Sequence, residues 1–167
     1  MLKYLVLLSI LFVSPAQASA PQLIGEYDDL EAYFYKDTIG TVCYAASIPK
    51  KDEGKYSQRG DIFVTVTHRP QEKSFDVVNF VAGYNYKPGA KVEVKIGDKA
   101  ISKLFTDKDK AWALNDAVDK ELVEAMKRGQ RMIVHGTSSK GTDTKDTYSL
   151  QGFSAAYKAI SAKCGKK

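Results

Sequence analysis

The sequence predicts a mainly β protein, an antiparallel β-sandwich with two accessory α-helices. Three observations carry that expectation: apolar residues recur at every second position in many short runs, the runs end in turn chemistry, and only two segments shift to helical spacing. No βαβ alternation, internal repeat or domain linker interrupts the pattern, so residues 19–167 are expected to form one sandwich domain.

Residues 1–18 stand apart. Lys3 precedes an apolar run from Tyr4 to Val13, followed by Ser14, Pro15 and the small-residue pattern Ala16-Gln17-Ala18. The run is shorter than the roughly 20 residues a bilayer-spanning helix needs, and the pattern is that of a secretory signal peptide cleaved after Ala18. The expected location is the periplasm or the cell surface, secreted rather than inserted in the membrane. A chain of this size buries roughly 68–70% of its unfolded surface and needs no metal to fold.

Strands are expected at Leu30–Tyr35, Thr41–Ile48, Ile62–Thr67, Phe75–Tyr84, Val92–Ile96, Ala100–Phe105, Arg131–Gly136 and Thr147–Leu150. In the fifth, Val92, Val94 and Ile96 face one way and Glu93 and Lys95 the other, the mark of one buried and one wet face. Ile48-Pro49, Arg69-Pro70, Pro88-Gly89 and Gly97-Asp98 supply the turns, the last a tight hairpin. The charged runs Lys50–Glu53 and Asp107–Lys110 read as solvated loops, and 137–145 as a hairpin tip.

A first helix is expected over 116–128, where Val118, Leu122, Ala125 and Met126 share a face. Asn115 or Asp116 is its N-cap and Gly129 its C′ residue. A second runs from Ser154 to Lys163, with Phe153, Ala156, Tyr157 and Ile160 in one stripe that Cys164 continues. Cys43 and Cys164 are the only cysteines, and in an oxidising compartment a lone pair forms one disulfide.

Charge excludes little. Of 25 basic residues only Lys3 lies in the leader, which leaves 24 against 20 acidic residues and a net charge of +4. That excess is too small and too dispersed to argue for nucleic acid. No serine sits in a nucleophile elbow and no glycine-rich phosphate cradle occurs. His68 and His135 lack metal-ligand spacing and read as strand-end residues, hydrogen-bonded or wet. The sequence therefore predicts no enzyme, no cofactor and no metal. Candidate partner-binding residues are Arg59-Gly60-Asp61, the tripeptide that integrins read and equally a turn into a strand, and Tyr84 and Tyr86 beside a turn.

The run from Gly136 to Ala156 (GTSSKGTDTKDTYSLQGFSAA) resembles the invasion-associated locus B family, exported proteins of alphaproteobacteria. Cys43-Tyr44-Ala45-Ala46-Ser47, Arg59-Gly60-Asp61 before a strand, Ala111-Trp112 and Leu122–Gly129 support the likeness in consistent order. With two cysteines the chain resembles a divergent branch. The resemblance implies an envelope or secreted protein that engages another envelope or host protein, linked in some pathogens to host-cell invasion. The alternative expectation is a periplasmic small-ligand-binding protein or enzyme, with a site assembled across the sandwich from His68, His135, tyrosines and carboxylates.

Overall fold

The computed structural model describes residues 19–102 and 104–166; the leader expected at 1–18 lies outside the described residues. Fourteen elements follow in order: β1 Gln22–Tyr27, β2 Leu30–Lys36, β3 Thr41–Ser47, β4 Lys51–Gly54, β5 Phe63–Arg69, β6 Ser74–Val81, β7 Glu93–Ile96, β8 Lys99–Ile101, β9 Leu104–Asp107, β10 Lys110–Ala113, α1 Asp116–Arg128, β11 Arg131–Thr137, β12 Asp143–Ser149 and α2 Phe153–Lys163. The strands form two antiparallel sheets, a larger one in the order β1-β2-β3-β5-β6-β10-β9 and a smaller one in the order β4-β12-β11-β7-β8. The expected mainly β sandwich with two helices is what is found.

Inward rows explain why these runs pair as they do. In the larger sheet Ala32, Ala45, Val66 and Val78 lie opposite one another across four adjacent strands, all essentially buried. In the smaller sheet Ile96, Met132 and Tyr148 form the matching row. A slip of one residue would turn each row to water, so burial fixes the register. The inward residues of both sheets and the apolar faces of both helices merge into one core.

The helices close the sandwich. Residues Val118, Leu122, Val123 and Met126 of α1 are buried, and the helix lies across β6 and β10. Asn115 caps it, its Oδ1 accepting the Val118 N–H at 3.2 Å. Gly129 ends the helix, its N–H donating to Ala125 O, with φ −84° rather than in the left-handed region. Glycine is needed there because a Cβ would stand 2.4 Å from Ile96 Cγ2. Across β1, β2 and β3 lies α2, whose Phe153, Ala156 and Ile160 are buried. Just beyond its end Cys164 is bonded to Cys43 of β3, with the Cα atoms 6.1 Å apart.

Four expectations are corrected. The run Ala100–Phe105 is not one strand: β8 closes the smaller sheet and β9 the larger, so the chain changes sheets between them. Lys50–Glu53 is not loop, because Lys51–Gly54 pairs with β12 as an edge strand whose four residues are all exposed. Such charge on an edge discourages pairing with other chains. The 137–145 tip shortens to residues 138–142, as β12 begins at Asp143 rather than Thr147. Finally, β1 and β10 pair as strands, where no strand was expected.

Candidate functional site

Three loops meet at one end of the sandwich: residues 55–62 between β4 and β5, 82–92 between β6 and β7, and the β11–β12 tip. Backbone bonds tie them together. The Gly60 N–H donates to Gly83 O at 2.8 Å, the Ser139 N–H to Asn85 O at 2.7 Å and the Lys87 N–H to Thr137 O at 2.9 Å. Gly83 has φ +70°, and a Cβ there would stand 2.5 Å from Gly60 O, so the contact needs glycine for both conformation and space.

An ion pair forms beneath these loops. The Arg59 guanidinium grips Asp146 of β12 at 2.6 and 2.5 Å, and its Nε–H donates to Ala82 O at 2.7 Å. Both side chains are at most 5% exposed. Burial disfavours the arginine's charge, but the Asp146 carboxylate overrides it and holds the guanidinium pKa above its ordinary value. The guanidinium carbon lies 5.3 Å from the Tyr56 ring centre and 5.0 Å from that of Tyr84. The Tyr84 hydroxyl is 2.6 Å from Thr144 Oγ1, and Tyr86 packs edge-on against Tyr84 at 5.3 Å.

The structure thus brings Arg59, Gly60, Tyr84 and Tyr86 together, but not as a displayed surface. The Arg59 side chain points inward, Gly60 touches Gly83, and Tyr86 is only 6% exposed. Of the Arg59-Gly60-Asp61 triplet Gly60 and Asp61 are exposed residues, whereas the arginine an integrin would need is spent on Asp146. Beside the pair lies a recess of about 350 Å³ lined by Lys55, Tyr56, Asn85, Ser139, Lys140 and neighbouring side chains. The sequence reading missed this assembly, because Asp146 is 87 positions from Arg59. One signal was present: Asp146 occupies an inward position between Thr144 and Tyr148 in a strand of alternating burial.

The two histidines are not brought together; His68 is on β5 of the larger sheet and His135 on β11 of the smaller. His68 is fully buried rather than wet, since α2 covers the end of its strand. Its Nε2 is 3.1 Å from Ser161 Oγ of α2, and its Nδ1 accepts the Asp76 N–H at 3.1 Å. Serine, histidine and aspartate here have the composition of a hydrolytic triad and the wrong proton arrangement. With Nδ1 an acceptor, Nε2 carries the proton, donates it to Ser161 and has no lone pair to activate that hydroxyl. The Asp76 carboxylate stands 4.0 Å from Nδ1 and is engaged by Tyr157 and Lys166. Among the described residues no group of three or more His, Cys, Asp or Glu is placed to hold a metal, and no helix is long and apolar enough to cross a membrane.

Burial pushes the His68 pKa down to about 4, Asp76 opposing and Lys166 assisting. Asp119, buried on α1 and accepting the Val78 N–H at 2.7 Å, is pushed up to about 6 by burial, with that bond opposing. The signs are opposite. His68 gives stability that is present above pH 6.5 and lost as pH falls toward 4; Asp119 gives stability that is present below pH 3.8 and lost as pH rises through 6. Each shift amounts to about 3 kcal/mol, so the two nearly cancel between pH 4 and 6. Asp119→Asn is expected to remove the compensation. Urea unfolding of that variant should weaken by about 3 kcal/mol from pH 6.5 to 4 while the parent stays nearly level. Equal slopes for both proteins would refute the assignment.

Compared with protein-family models, residues 34–161 match the one described as invasion associated locus B (IalB) protein. No curated protein and no solved structure matches. The match runs from Phe34 in β2 to Ser161 in α2, taking in Arg59, Asp146, His68 and the recess. The chain belongs to the invasion associated locus B family.

Proposed function

We propose that the protein is an exported, non-enzymatic binding protein of the bacterial cell envelope, working in the periplasm or at the cell surface by contact with another envelope or host protein. The carrying observation is the state of His68: it is fully buried, and because its Nδ1 accepts the Asp76 N–H, its Nε2 is left with no lone pair to activate Ser161. What the molecule offers to its surroundings is instead a firmly braced set of loops at one end. The leader pattern at 1–18 supports export, and the family's name supports a partner met during invasion.

Site-specific photo-crosslinking in the living organism tests this reading. A photoreactive residue replacing Asp61 or Ser139, both exposed on the end loops, is expected to give one discrete adduct with an envelope protein, or with a host protein once host cells are added. The same residue replacing Lys158 on the exposed side of α2 serves as the distal control. No adduct from the loop positions, or the same adducts from all three, would refute contact through this end.

A further inference from the structure

We infer that the recess between the three loops binds a small hydroxylated anion, a sugar acid or a sugar phosphate. Lys55 and Lys140 stand on its rim, both exposed, and neither ammonium lies within 4.0 Å of a carboxylate among the described residues. No aspartate or glutamate lines it. The nearby carboxylates are engaged elsewhere: Asp146 by Arg59, Asp52 by the Tyr56 hydroxyl and Asp143 by the Thr137 hydroxyl. Two cations that form no ion pair among the described residues, over a hollow without acidic lining, favour an anion.

The rest of the lining gives the body of the ligand. Ser57, Gln58, Asn85 and Ser139 present hydroxyl and amide groups able both to donate and to accept, as a polyol requires. Tyr56 and Tyr84 supply the apolar wall, held in place by the Arg59 guanidinium between them. The volume, about 350 Å³, lies at the small end of the roughly 300–1,000 Å³ of ligand pockets, which suits one or two sugar units. The backbone bonds that join the loops hold this wall before any ligand arrives, so little ordering entropy is lost on binding.

This goes beyond the protein contact proposed above, since the recess would fill whether or not a partner protein is present. The test is a nuclear magnetic resonance titration of residues 19–167 with four probes: glucuronate, glucose 6-phosphate, glucose and inorganic phosphate. One or both sugar anions are expected to shift the amides of Ser57, Asn85 and Ser139, and to bind at least tenfold more tightly than glucose or bare phosphate. Which of the two binds identifies the anionic group. The double variant Lys55→Ala/Lys140→Ala should lose roughly tenfold in affinity while its melting temperature stays unchanged, because both side chains are exposed and unpaired. The inference is overturned if neither sugar anion shifts these amides or if glucose binds as well. It is equally overturned if inorganic phosphate alone binds as well, or if the double variant binds undiminished.

Discussion

Arg59→Ala is expected to cost about 3–5 kcal/mol of folding stability, among the largest effects of any single substitution in this protein. The arginine contributes little as a surface charge would; the loss comes from what it leaves behind. Asp146, on the inward face of β12, would lose its partner cation, and burial, which already pushes its pKa up, would force it to take up a proton or bear a poorly solvated charge. The change also empties the space between Tyr56 and Tyr84 and frees Ala82 O. Two controls separate these contributions in urea unfolding. Arg59→Met with Asp146→Leu should recover most of the loss, because an apolar pair leaves no buried charge. The single variant should also regain stability as pH falls and Asp146 takes up a proton. A loss below about 1 kcal/mol would mean that the pair is solvated and that the recess has no firm floor.

Cys43→Ser should cost up to about 5 kcal/mol, the chain-entropy value for a closure of 121 positions. For a chain of this size that corresponds to a fall of roughly 10–20 °C in melting temperature. Cys43 is fully buried and Cys164 only 5% exposed, so the substituted protein tests the bridge better than added reductant does. The expected damage is local as well as global. Ser161, Tyr157 and Lys166, which meet His68 and Asp76, all lie near Cys164 in sequence. Freed from β3, the end of α2 should expose His68, whose resonance would then titrate near the ordinary histidine pKa of about 6.5 rather than near 4. An unchanged melt would remove the bridge from the account of stability.

What was legible in the sequence followed local periodicity. The alternation in β5, β7 and β11 and the apolar stripes of α1 and α2 were readable because each depends only on near neighbours along the chain. What was not legible depends on distant segments. As an exposed edge strand, β4 has no buried face, so no apolar pattern marks it; its only cue is the partner β12, about ninety residues away. The division between β8 and β9 is invisible because both share one short run of β-forming residues. Arg59 read as part of a turn or of a displayed triplet because nothing around it in sequence reveals Asp146. His68 read as a strand end because the residue covering it, Ser161, is 93 positions further on. For Arg59 and His68 the burial of a polar group was decided by a partner beyond the reach of any local pattern.

The bond between β3 and the end of α2 also sets which parts of the body can come away first. It closes a covalent ring from Cys43 to Cys164 that leaves only β1 and β2 of the described strands outside. Fraying that begins at this N-terminal hairpin leaves the ring intact, whereas any opening from β3 onward must proceed inside a loop held at both ends.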